Sequence, residues 1–308
     1  MAKFRTNHQK NEMGSGTMVR FGLFAGLLGI LFWGFNQFLG GESNESTDSE
    51  PVTTTTTPSA PEPTALDAIM LPSSTTGQII EHDYYTLSYH EEFEQAEWVA
   101  YVLEKERLYP PYVERTGDFR PDPRVRKASA SKRDYKGSGY DRGHLVPAGD
   151  MAFSKASMSQ TFYMSNMSPQ IHNFNAGIWR ELEELVRNWA KKFDRLMVVT
   201  GPVLTRGIRE RIGMNEVAVP DEFYKVILDF SEPEMKGIAF LIPNEVSYQP
   251  IQRYALSIDE VEEITGIDFF EKWISEEAEP VLEGRFDVDQ WPFNKKKFDL
   301  RKNNWNKQ

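Results

Sequence analysis

The segment Ala176–Asp194, AGIWRELEELVRNWAKKFD, constrains this chain more than any other part of it. Ile178, Leu182, Leu185, Val186, Trp189 and Phe193 fall on one stripe at helical spacing, and charged residues dominate the other positions. A helix of this kind must bury its stripe against a second layer. The chain supplies strands for that layer. LMVVTGPVL, residues 196–204, is a short apolar run closed by Gly-Pro and reads as a buried strand. VAVPDEFYKVILDF and GIAFLIPN read as two further strands. HDYYTLSYHEEFEQAEWVAYVLEKE, residues 82–106, has two apolar and aromatic runs around an acidic turn, the pattern of a hairpin. The expectation is an α+β domain with a mixed sheet core and flanking helices.

Before the helix lies GSGYDRGHLVPAGDM, residues 137–151. In an extended strand, residues two apart point to the same face, so Arg142 and His144 would address one site. Gly143 between them leaves the backbone uncrowded. Arginine suits a phosphate, and histidine suits proton transfer near neutral pH. The pair suggests phosphate-ester chemistry, although a lone histidine is more often structural.

Closer to the helix is SNMSPQIHNFNAGIW, which carries Asn166, Asn173 and Asn175; Glu183 and Arg187 follow on the helix itself. At about 100° per residue, Glu183 lies roughly 80° and Arg187 roughly 120° from Asn175, on one flank. Glu183 and Arg187 are spaced as an i,i+4 pair. A neutral oxygen ligand with a carboxylate behind it suits Mg2+ that keeps most of its waters, bound directly by Asn175 and through water by Glu183. A capped helix with a solvated face is the plainer reading of the helix alone. The combination with the Arg142–His144 strand favours the metal.

The formal net charge is −11, which opposes a polyanionic partner. The distribution is uneven, however. Between Val113 and Arg142 there are nine bases against five acids, a local excess of +4. Screening limits the reach of distant charge to roughly 10 Å, so the local sign governs binding. There is no cysteine, which excludes disulfides, thiolate nucleophiles and cysteine zinc sites.

Residues 21–39, FGLFAGLLGILFWGFNQFL, are uncharged and as a helix would span roughly 28 Å. Bases dominate before this run, and acids follow it. The expectation is a cytoplasmic segment 1–20, a transmembrane anchor 21–39, a Thr/Pro/Ser-rich disordered tether 40–65 and a folded domain 66–308. An uncleaved anchor is favoured over a cleaved signal peptide or a buried core helix. The expected location is a single-pass inner-membrane protein with a periplasmic or otherwise extracytoplasmic domain. A mitochondrial inner membrane is left open.

The blocks DYKGSGYDRGHLVPAGDM, FYMSNMSPQIHNFNAGIWRELE, VVTGPVL and VAVPDEFYKVIL together resemble the DNA/RNA non-specific endonucleases, the sugar-non-specific nucleases of the endonuclease G type. The resemblance covers roughly residues 86–267. It implies a ββα-metal (His-Me finger) nuclease fold and hydrolysis of DNA or RNA phosphodiesters, leaving 5′-phosphate ends. It implies His144 as general base, Asn175 as metal ligand and Glu183 as holder of metal-bound water. Arg142 and Arg187 become phosphate contacts, Asn166 an active-site asparagine and Arg120 an upstream phosphate-binding arginine. Mg2+ is the implied cofactor, with Mn2+ as an alternative, and a homodimer is admitted. A catalytically silent polyanion-binding module and a hydrolase of another phosphodiester are the rival readings.

Overall fold

The computed structural model describes residues 70–231 and 234–307. Its first three strands form a meander: β1 (Gln78–Glu81), β2 (Thr86–His90) and β3 (Gln95–Glu104). The acidic turn does connect β2 and β3, as the hairpin pattern predicts. The chain then leaves the sheet through a basic loop and the short helix α1 (Lys132–Tyr135), which Ser131 and Asp134 close with a capping box. Next come β4 (Asp141–His144), the helix α2 (Lys155–Gln160) and β5 (Met167–Gln170). The long helix α3 (Arg180–Phe193) follows, so β4, β5 and α3 stand in ββα order.

The sheet resumes with β6 (Arg195–Pro202), is interrupted by the small hairpin β7 (Glu210–Ile212) and β8 (Val217–Val219), and continues with β9 (Glu222–Asp229) and β10 (Lys236–Pro243). The two-residue edge strand β11 (Ala255–Leu256) completes the order β1-β2-β3-β6-β9-β10-β11. The segment VAVPDEFYKVILDF is therefore two strands. Pro220, which lacks an N–H for a ladder, falls at the break between them. Every pairing in the seven-stranded sheet is antiparallel, which corrects the expected mixed sheet. The reason is local: β1-β2-β3 and β9-β10 are joined as hairpins, and the long excursions return β6 and β9 antiparallel to their neighbours.

Alternation along the strands makes two cores. Val99, Tyr101, Leu196, Val198, Ile227 and Phe240 face one way and pack with Leu182, Leu185, Val186 and Trp189 of α3. Ala100, Met197, Val199, Val226, Leu228 and Ala239 face the other way. There they meet Ile258 and Val261 of α4 (Ile258–Thr265), Phe269, Phe270 and Leu282, the last residue of α5 (Glu279–Leu282). The C-terminal helix α6 (Lys295–Asn303) docks near α3, with Arg301 fully buried and bonded to Glu181 and to the carbonyls of Ser247 and Gln249.

The expected anchor 21–39 and tether 40–65 lie outside the described residues. Among the described residues no helix is long and apolar enough to cross a membrane. At 14 residues, α3 is only about 21 Å long, and it is charged on one side.

Candidate active site

The strand carrying His144 is paired with β5 alone, as a two-stranded sheet with Arg142 opposite Pro169 and His144 opposite Met167. Gly143 makes room for the Gln170 side chain, which lies where its Cβ would go. Arg142 and His144 do share a face. The Arg142 guanidinium sits 4.5 Å over the Phe119 ring, and the His144 ring lies 5.9 Å from the same ring. Phe162 meets His144 edge-on at 5.0 Å.

His144 is 8% exposed, and its Nε2 has no hydrogen-bond partner. Burial, with the nearby charges of Arg115 and Arg142, lowers its pKa to about 3. The imidazole is thus neutral at physiological pH, with a free lone pair or N–H facing the site. Two more polar groups nearby are buried without partners: Arg142 Nε and the Gln170 side-chain amide. Three orphaned groups around one short strand mark a place built for something polar.

Asn166 is used differently. Its Oδ1 accepts from the Val146 N–H at 2.9 Å, and its Nδ2 donates to the carbonyls of Val146 and Thr161 at 3.0 and 2.9 Å. It fixes the backbone just beyond His144 and is fully buried. From the helix side, Trp179 Nε1 donates to the His144 carbonyl at 3.4 Å.

Asn175 lies before α3, in a wide π-helical turn spanning Phe174–Trp179. Gly177 breaks the helical backbone there, with φ −101° and ψ −108°. The regular 100° step therefore does not carry from Asn175 to Glu183, and the expected angles between them do not apply. What brings Asn175 to the site is Asp141, one residue before Arg142. Asn175 Nδ2 donates to Asp141 Oδ2 at 2.9 Å, and His172 Nδ1 donates to the same oxygen at 2.8 Å. This leaves the Asn175 carbonyl oxygen as the free end of the amide.

Glu183 and Arg187 share a flank of α3 but do not form the expected ion pair. Arg187 instead reaches the loop after His144, where its Nη1 donates to Asp150 Oδ1 at 2.6 Å. Tyr101 of β3 donates to the other Asp150 oxygen at 2.7 Å. The bare backbone of Gly149 accommodates the Arg187 guanidinium, since a Cβ there would lie 3.1 Å from Nη1. Glu183 is pushed up to about 7, chiefly by burial, with Arg187 and Lys225 opposing.

Lys225 was not singled out from the sequence. It lies in the middle of β9, 1% exposed, with its Nζ 4.9 Å over the Trp179 ring and no hydrogen-bond partner. Burial lowers it to about 8, against the attraction of Glu183 and Asp150. Its signal in the sequence was a single lysine inside the apolar run FYKVIL.

Arg120 is committed to its own loop. It pairs with Asp118 at 2.6 Å, donates to the Ser159 carbonyl at 3.0 Å and stacks 4.0 Å over Tyr163. The basic-loop residue whose charge bears on both His144 and Glu183 is Arg115, which is exposed and rests 4.8 Å over the Phe162 ring.

The donor set suits a hard divalent cation. Asn175 offers a neutral oxygen held from behind by a carboxylate, and Glu183 adds an acid on the adjoining helix.

The sequence profile described as DNA/RNA non-specific endonuclease matches residues 62–275. The mitochondrial nuclease EXOG of Danio rerio is 37% identical over 208 residues, covering 62% of this chain and 61% of that protein, so this chain spans less than two thirds of that relative. The mitochondrial endonuclease G of Homo sapiens is 33% identical over 205 residues, covering 62% and 69%. A crystal structure of the EndoG/EndoGI complex superposes with a TM-score of 0.63 and 31% identity, covering 69% of this chain and 93% of that one. The EXOG and endonuclease G relatives are mitochondrial nucleases by name, which corrects the expected inner-membrane placement with a periplasmic domain.

Proposed function

The chain belongs to the DNA/RNA non-specific endonuclease family, and from that premise we propose that it is a metal-dependent nuclease hydrolysing phosphodiester bonds in DNA or RNA. The observation that carries this reading is His144. It is a neutral imidazole with an unpartnered Nε2, on a strand whose Arg142 is free to grip phosphate and whose Asp141 orients Asn175.

Asn175 would hold the metal directly and Glu183 through water; Mg2+ fits this oxygen set, and Mn2+ is the natural substitute. When bound, such an ion supplies charge stabilisation to the phosphoryl and leaving oxygens. The protein's own groups do the rest. Arg142 binds a non-bridging phosphate oxygen, and Arg115 takes the upstream phosphate role for which the sequence pointed to Arg120. His144 accepts a proton from water as that water attacks phosphorus in line. The bond to the 3′ oxygen breaks, that oxygen takes a proton from solvent water, and His144 returns its proton to solvent, leaving 5′-phosphate and 3′-hydroxyl ends. Phosphate in the site offsets the charges of Arg115 and Arg142, so His144 becomes more basic when substrate is bound. The phosphate contacts carry no base information, in keeping with a non-specific enzyme.

The test is the full-length chain with supercoiled plasmid, in Mg2+ and in EDTA, beside His144→Ala. Mg2+-dependent nicking that the variant lacks supports the reading. No cleavage by folded protein in Mg2+ or Mn2+ would overturn it and leave a polyanion-binding module.

A further inference from the structure

On the sheet face opposite α3, three carboxylates converge. Asp259 and Glu262 stand one turn apart on α4, and Glu283 follows the last residue of α5. Their nearest oxygens all lie within 4.8 Å of one another. The Glu283 backbone adds a link, because its carbonyl accepts from the N–H groups of Ile258 and Asp259 at 2.9 and 3.2 Å. Glu283 is only 3% exposed, and its Oε1 has no hydrogen-bond partner. A buried carboxyl group with an unpartnered oxygen, gathered with two other carboxyl groups, is costly to ionise unless something positive joins it. The other charges acting most strongly on the group are also acidic, Asp268 and Glu279 among them. Gly284 makes room for this approach, since a Cβ there would lie 3.2 Å from Asp259 Oδ2.

We propose that Asp259, Glu262 and Glu283 form a binding site for a structural divalent cation, Ca2+, separate from the catalytic centre. Calcium takes six to eight oxygens in flexible geometry, so three carboxylates with waters completing the shell suit it better than Mg2+. The cation ties the first turn of α4 to the end of α5. Leu282 lies beside Gly237 of β10, so the clip fastens this segment over the second core.

The experiment uses full-length protein carrying Asn175→Ala, which removes the direct ligand of the catalytic metal. After EDTA stripping, CaCl2 is titrated by calorimetry and melting is followed by circular dichroism. The expected result is one Ca2+ per chain and a raised melting temperature. Adding Glu283→Gln, or Asp259→Asn should that variant misfold, weakens binding at least about tenfold and removes the melting shift. Absence of Ca2+ binding by the Asn175→Ala protein, or equal affinity with and without Glu283→Gln, overturns the proposal. Glu283→Gln alone keeps plasmid cleavage in saturating Mg2+, and loss of that cleavage would overturn the separation from the catalytic centre.

Discussion

Asp141 Oδ2 accepts the Asn175 amide at 2.9 Å, so the strand that presents His144 also aims the candidate metal ligand. On the proposed reading, one four-residue strand carries three roles: orientation at Asp141, phosphate binding at Arg142 and proton transfer at His144. Asp141→Ala frees the Asn175 amide to rotate. Metal affinity is expected to fall about 10- to 100-fold, with activity partly restored at high Mg2+. A Mg2+ titration of plasmid cleavage reads this directly, and an unchanged titration would remove Asp141 from the site.

The histidine makes a prediction about pH. Its folded-state pKa is depressed to about 3, from an ordinary value near 6.5. Between those values the folded protein keeps His144 neutral while the unfolded chain protonates it. Activity should therefore not fall through pH 6.5 on account of this group, whereas stability should decline as pH drops from about 6.5 toward 3. Titration of the His144 imidazole by NMR in the folded protein checks this, and a midpoint near 6.5 would contradict the geometry.

Lys225 is the least expected charge in the molecule. Replacing it by methionine removes a buried ammonium that has no hydrogen-bond partner but offsets the Glu183 and Asp150 carboxyl groups, so stability should fall unless Glu183 takes up a proton. It also removes a positive charge that holds Glu183 down, so the Glu183 carboxyl should move above about 7. The acid limb of cleavage then shifts upward. An unaltered profile would leave Lys225 with a packing role only.

Asn166→Ala would strand the Val146 N–H and two carbonyls in the interior. The expected cost is about 1–3 kcal/mol of stability, measured by urea unfolding. Activity should fall through displacement of His144 rather than through lost contact with substrate. Normal stability with lost activity would instead place Asn166 at the chemistry.

The parts of the site that could be read from sequence are those governed by strict local periodicity. The two-residue period of DRGH places Arg142 and His144 on one face, and the α3 stripe marks the buried side of the helix. The wide turn at Phe174–Trp179 could not be read, because a π-helical insertion leaves no periodic trace and Gly177 has other uses. Arg187 was paired with the wrong partner for a related reason: the i,i+4 rule knows the helix but not the loop carrying Asp150, which folds over it. Lys225 went unnoticed because strand assignment weighs the apolar majority and passes over the exception that the interior keeps.

The two strands of the candidate site, β4 and β5, share no backbone ladder with the seven-stranded sheet; side chains link them to it, such as the hydrogen bond from Ser168 to Gln95. Such a pair can open without the main sheet unravelling. Amide hydrogens of Asp141–His144 and Met167–Gln170 would then exchange with solvent through a smaller excursion than those of β6 or β9. On warming, the paired strands would come loose while the scaffold still held its shape, and any activity housed there would end at a temperature set by eight residues rather than by the whole domain.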